Sequence, residues 1–429
     1  MDTTVFSKVI TGLKCEDVKV EDRERTILKE LAARVGSLAR SKEMEDKRDL
    51  WRRHNRLEKT RPVIFCDPEN GWNEIITERQ MVCKSTLARR WEMDLRMEIF
   101  WGEEMGDDRP VEPFFDVPYT VSPDDWGVNA EYRQTESLGS YVWDAPIKDY
   151  DSDLAKLYYP ELQIDWETTN GCYELAKELF DGILTVRLKG TWWWSLGLTW
   201  PAATLRGLEN MFLDFIDHPD GIGELLDIIS NGFLHKLDCL EKNNLLSLNN
   251  DGTYVGSGGL GFTSDLPGQE FDGNRVRARD LWGFSESQET VHVSPEMYEK
   301  FIFPREDPIL KRFGLNCYGC CEPLHDRWPI VKNHHNLRRV SCSPWIDLER
   351  MAGYLEDKYI FSWKASPFDL ANADLNENKV RADIKRGFEK TKGCIVEIMM
   401  KDNHTIGKNP ANVVEWCRIA QEEAAHYEQ

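Results

Sequence analysis

From Asp181 onward the chain alternates short apolar runs with amphipathic helical stretches, and this order constrains the fold more than any other feature. Strands are expected at Asp181–Leu188, Leu245–Asp251, Gly314–Gly319, Leu337–Cys342, Tyr359–Trp363 and Gly393–Met400, with another ending near Leu281. Helices are expected at Gly207–His218, Pro219–Lys242, Pro295–Phe313, Asp326–Lys332, Asp347–Leu355, Asn376–Lys390 and Asn412–Ala424. A regular βαβα order implies a parallel sheet, because parallel neighbours need a crossover helix. An earlier apolar run, Arg61-Pro62-Val63-Ile64-Phe65, ends in the turn cluster Asp67 to Gly71 and supplies a first strand.

About eight such units over roughly 360 residues favour an α/β protein closed into a (β/α)8 TIM barrel. On this reading residues 61–429 form the barrel. Residues 1–60 are an N-terminal helical extension, with Ile27, Leu28, Leu31, Val35 and Leu38 at helical spacing between Asp22 and Arg40. The stretch Lys42 to Lys59 is so charged that it is expected on the surface, as a lid or as a contact in a homodimer. A helix follows at Ser85 to Met97. Residues 102–150, rich in Pro, Asp, Gly and aromatics, read as an insertion with short strands that shapes a pocket.

Composition narrows the function. The net charge of -21 argues against a protein that grips a nucleic-acid backbone, and Arg52-Arg53-His54 is a poor exception. With 30% charged residues and no apolar run of about 18 residues, no transmembrane helix is expected. The start, Met1 to Phe6, lacks the basic and apolar segments of a secretory signal, so a cytoplasmic enzyme is expected. The 11 cysteines are odd in number and irregularly spaced, which suits reduced thiols used as ligands or catalysts.

Barrel chemistry sits just after each strand. Cys320-Cys321-Glu322, with His325 close behind, offers thiolate, carboxylate and imidazole in six residues, a set that suits Zn2+. The alternative is two small buried thiols and a capping glutamate. After the last strand, Lys401-Asp402-Asn403-His404 offers a base, a ligand and its orienting partner, or else a solvated turn. Glu286 and Gln288 are placed to hold substrate polar groups or to cap a helix. Asn250 and Asp251 are further strand-end polar residues. Trp192, Trp193 and Trp194, with Trp200, offer flat surfaces for a planar ligand, or simple packing. The glycine-rich run Gly256 to Gly261 lacks a phosphate-loop pattern and reads as a flexible loop over the mouth.

Several blocks resemble the uroporphyrinogen decarboxylase superfamily. They are Val293-Ser294-Pro295-Glu296-Met297-Tyr298 to Pro304, Gly314 to Cys320, Val340-Ser341, Asp347-Leu348, Ser362 to Pro367, and Leu205-Arg206-Gly207 to Pro219. The resemblance covers roughly residues 60–425 and implies a (β/α)8 barrel. One branch of that superfamily decarboxylates tetrapyrroles without a cofactor, using an arginine-rich entry. Val63 to Pro68 here has no arginine, and arginine is the bidentate partner of carboxylates. The other branch consists of zinc-dependent methyltransferases that work with corrinoid proteins. Their His-x-Cys pair is replaced here by Asn316-Cys317-Tyr318, a departure shared with members that demethylate aromatic methyl ethers.

The resemblance therefore implies O-demethylation, with the methyl group passed to a corrinoid protein. Cys320, Cys321, Glu322 and His404 become the expected zinc ligands, Asp402 and Glu286 the catalytic acids or bases, and Trp192, Trp193, Asn250, Gln288 and Tyr318 the substrate contacts. A metal-free lyase of the same superfamily and a non-catalytic binding barrel are the competing expectations.

Overall fold

Apolar, β-branched segments too short for helices form the centre of the molecule. The computed structural model describes residues 9–122, 125–134 and 141–427. Six parallel strands pair in the order Val63–Cys66, Ile395–Met400, Ile360–Lys364, Leu337–Cys342, Leu315–Tyr318 and Trp282–Ser285. Within this sheet the first strand in chain order thus pairs with the last, Ile64 opposite Ile398. Val63–Cys66, Trp282–Ser285, Leu315–Tyr318 and Ile395–Met400 are buried along their whole length, as parallel strands covered on both faces should be. A second parallel pair joins Phe114–Val117 to Thr185–Leu188.

The backbone ladder stops on either side of this second pair, and side chains take over. Asp108 and Asp107 carboxylates accept the amides of Ile64 and Cys66 at 2.8 and 3.0 Å. On the far side, the Asn249 side chain exchanges two bonds of 3.0 Å with the Trp282 backbone. The strand expected at Leu245–Asp251 is therefore absent; an amide side chain does the work of a strand there, which apolar patterning cannot anticipate. The fold is α/β with a central six-stranded parallel sheet.

Helix positions follow the expected pattern closely. Asp347 and Asn376 accept bonds from the amides of Arg350 and Lys379 and start Leu348–Leu355 and Glu377–Lys390. Ser294, followed by Pro295 at the first helical position, starts the segment that runs on to Leu310. Asp326–Lys332 shrinks to the single turn Trp328–Val331. The expected insertion also divides: Phe114–Val117 belongs to the second parallel pair, whereas Glu131–Gln134 and Tyr141–Asp144 form an antiparallel hairpin.

The charged helix Lys42–Asn55 is not merely a solvated surface element. Its Trp51, His54 and Asn55 are fully buried. His54 Nε2 lies 3.0 Å from Glu397, which also binds Arg339 at 2.8 Å, and Arg339 in turn reaches Asn55 at 2.6 Å. Glu397 sits opposite Val63, at the start of the first strand, so this helix closes the amino-terminal side of the sheet. Most of its charges do face solvent and pair along the helix, as Lys42–Asp46 and Lys47–Glu43; the opposite face carries the buried network. Among the described residues no helix is long and apolar enough to cross a membrane. The start Met1 to Phe6 lies outside the described residues.

Candidate active site around Cys320

The glycine-rich run Gly256–Gly261 is buried against the sheet instead of covering its mouth. Gly256, Gly258 and Gly259 have φ of 78°, 145° and 97°, where side chains are disfavoured. A Cβ on them would meet Cys317, Met399 and Arg339 at 2.6–2.8 Å. This close approach delivers Ser257 to the carboxyl ends of the strands. Lys364, the last residue of its strand, donates to Ser257 Oγ at 2.5 Å, and Ser257 donates to Cys320 Sγ at 3.1 Å. Lys364 Nζ also reaches the Cys320 carbonyl at 2.8 Å and its Sγ at 3.4 Å. All three side chains are buried.

Cys320 and Cys321 sulfurs lie 3.7 Å apart, with Cys321 exposed. The hydrogen bond from Cys321, then the ammonium groups of Lys364 and Lys401, hold the Cys320 thiol well below its ordinary range despite burial. Cys321 is pushed up by the same bond, so the pair's remaining proton rests on it. Carboxyls crowd the other side. Burial, reinforced by Glu289, Glu322 and the Cys320 thiolate, raises Glu286 well above the usual carboxyl range. Glu286 accepts from Ser195 Oγ at 3.2 Å and from the Gln288 amide at 3.0 Å. Burial raises Glu289 too, and Thr199 donates to it at 2.6 Å. The result is one buried thiolate, one lysine against it, and a carboxyl that keeps its proton.

Other expected residues separate. Glu322 spends both carboxylate oxygens on the amides of Ser287 and Cys320, at 3.0 and 2.8 Å. Asp402 pairs with Lys401, which holds it low against the effect of burial; His404 is exposed two residues on. Tyr318 turns to the opposite face of its strand from Cys317, where it bonds Tyr298 at 2.8 Å and Glu306 at 2.9 Å and stacks on His334. Asn250 donates to the Leu266 carbonyl at 2.7 Å, a loop-holding contact.

Trp192 and Trp193 do come together, with Trp194, Tyr254, Trp282 and Phe284, around a cavity of about 40 Å3. Trp192 is itself fixed by its indole N–H bond to Leu245 at 2.9 Å and by Tyr119 beside it. Lys364 and Ser257 are the residues the sequence reading missed. Lys364 ends an apolar strand, and that position was itself a usable signal. Ser257 was hidden inside a run read as flexible.

The expected zinc can be tested against these donors. A cation beside Cys320 would meet the Lys364 ammonium, Glu322 has no oxygen to spare, and His404 points from an exposed turn. Among the described residues no three His, Cys, Asp or Glu side chains gather as a metal site. The residues present do not fit a zinc ion in this arrangement.

No family model and no curated protein matches the chain. Among solved structures, a methyltransferase from Methanosarcina mazei matches with a TM-score of 0.50 over 88% of this chain and 97% of that one, at 11% identity. The likeness is one of fold: this chain is an α/β protein with a central parallel sheet, and it shares its overall fold with that structure.

Proposed function

We propose that the protein is a methyltransferase that moves a methyl group between a small-molecule donor and a corrinoid protein, and that the barrel-like arrangement of its strands is a (β/α)8 barrel with the site at its carboxyl end. The observation that carries this reading is the Lys364–Ser257–Cys320 relay at the strand ends of a fold shared with a methyltransferase; Gly256, next to Ser257, also lines the tryptophan cavity. Methyl transfer needs a donor held in line, a stabilised leaving group and water kept away. Trp193 and Trp194 supply a wall for the donor, suited to an aromatic methyl ether. Glu286, which keeps its proton, is the acid for a departing phenolate or thiolate. Lys364 stabilises negative charge that develops beside Cys320.

A corrinoid on the partner protein supplies the cobalt that accepts the methyl group. Trp345 and Phe368, each 69% exposed, stand on the loops after two adjacent strands and offer that partner an apolar landing. The chain's own donors give no step to zinc. A lyase reading has support only from the buried lysines Lys364 and Lys401, which suit a carboxylate, but both are already bound to protein partners.

The test is to mix the purified protein with cob(I)alamin and aromatic methyl ethers, methyl thioethers or methylamines, and to follow methylcobalamin by its absorbance. Donor-dependent formation supports the reading. Carbon dioxide release from a carboxylated substrate, with no methyl transfer from any donor, would replace it with the lyase.

A further inference from the structure

A further cavity near the sheet lies away from Cys320. A cavity of about 130 Å3 lies where Phe114–Val117 and Thr185–Leu188 meet the loop around Asp251, and it shares Lys189, Thr191 and Thr253 with the tryptophan-lined cavity. Its charged groups can be counted bond by bond. Lys189 uses its ammonium on both oxygens of Asp251, at 3.0 and 2.7 Å, and on Thr253 at 2.7 Å. Arg187 grips Asp116 through two nitrogens at 2.7 and 3.0 Å, gives a third bond to Asp251, and lies over the Phe114 ring at 3.8 Å. Arg109 is paired with Glu98 through two bonds and stacked on Trp101. These cations are satisfied.

Glu112 is different. It accepts one bond, from the Gly252 amide at 2.7 Å, and no cation is within ion-pair distance of it among the described residues. Arg187 and Lys189 are balanced by Asp116 and Asp251 and Arg109 by Glu98, and the lining as a whole holds five carboxyls against four cations, so one carboxyl is in excess. An unbalanced, poorly solvated carboxyl in a partly apolar cavity asks for a cation that also has apolar surface. A bare metal ion would leave most of the cavity empty and its apolar lining unused.

We propose that this cavity binds a small organic ammonium ion, an amine or methylated amine, whose charged head pairs with Glu112 while its carbons lie against the apolar lining of Leu95, Pro110 and Pro118. The inference rests on the methyl-transfer reading only in making such an ammonium a candidate donor; binding itself is independent of it. Burial and the neighbouring Asp251 raise the empty Glu112 carboxyl to about 7, and a bound cation lowers it again. Uptake near neutral pH is thus coupled to release of a proton.

The probes are trimethylammonium chloride, its uncharged isostere tert-butanol, and potassium chloride, each titrated calorimetrically into wild-type protein and Glu112→Gln. The glutamine keeps the acceptor for Gly252, so the loop is preserved. The expected result is saturable binding of trimethylammonium alone, weakened roughly tenfold or more in Glu112→Gln. Proton release, read from the dependence of the heat on buffer, should vanish in the variant. Equal binding of tert-butanol, equal competition by potassium, affinity untouched by Glu112→Gln, or no saturable binding of trimethylammonium overturns the proposal. Methyl transfer can fail in its own assay while this binding stands, and the reverse.

Discussion

Lys364 Nζ lies 3.4 Å from Cys320 Sγ and reaches it a second way through the Ser257 hydroxyl. A buried ammonium and a buried thiolate at this distance stabilise each other, and removing one leaves the other uncompensated. Lys364→Met should therefore raise the Cys320 thiol toward its ordinary range, with the Cys321 hydrogen bond and Lys401 still holding it down in part. Ultraviolet thiolate absorbance followed against pH, with Cys320→Ser subtracted to isolate this one thiol, checks the shift. Wild-type protein should show the Cys320 thiolate already at neutral pH.

The second buried pair should govern stability instead of chemistry. Arg339 and Glu397 are almost fully buried, 2.8 Å apart, with His54 and Asn55 completing their bonds. Arg339→Met strands Glu397 and should cost about 3–5 kcal/mol. Chemical denaturation measures it. A loss below about 1 kcal/mol would mean that water reaches Glu397.

Stability should fall as pH rises through neutrality. Burial raises Glu69 and Glu306 to about 8 and Asp107, Glu112 and Glu322 to about 7. Unfolded, these groups lose their protons near the ordinary carboxyl value. Between about pH 5 and 8 the folded chain therefore holds more protons than the unfolded one, and the stability these raised groups contribute is lost as pH rises through their folded values. Buried His334, whose value is lowered by burial, opposes this below its ordinary range with a single proton. The melting temperature should be higher at pH 6 than at pH 8.5; the opposite order would contradict the assigned directions.

Metal analysis of the purified protein should find well under one zinc per chain, unchanged in Cys320→Ala, Cys321→Ala and His404→Ala. The reason is the chemistry around the sulfur: Lys364 occupies the place of a cation and Glu322 is spent on backbone amides. Stoichiometric zinc that disappears in Cys320→Ala would restore a metal to the mechanism.

Much of the fold was legible because its signals are local. Leu337–Cys342 and Pro219–Lys242 were read to the residue, the first from its place in the strand-helix alternation and the second from Pro219 opening an amphipathic stretch. What could not be read was long-range. Asn249 replaces a strand by bonding Trp282, 33 positions away, and His54 and Asn55 at the end of Lys42–Asn55 find their partners more than 280 positions on. The site was legible in part for the same reason. Cys320 and Glu286 follow their strands directly, so the strand-end rule found them. Ser257 arrives from a glycine-rich segment whose burial depends on Cys317, Met399 and Arg339 leaving room. Tyr318 was misplaced because strand alternation gives two faces without saying which is inner.

Methyl transfer is proposed to occur at Cys320 and Lys364. Single-turnover methyl transfer from the best donor to cob(I)alamin tests it most directly, in wild type, Cys320→Ala, Lys364→Met and, as a control, His404→Ala, each first shown to be folded by circular dichroism. The prediction is a loss of about 100-fold or more in the first two variants, the scale of removing one preorganised charged group, with His404→Ala unchanged. Wild-type rates in Cys320→Ala and Lys364→Met would contradict the claim, as would a rate lost only in His404→Ala.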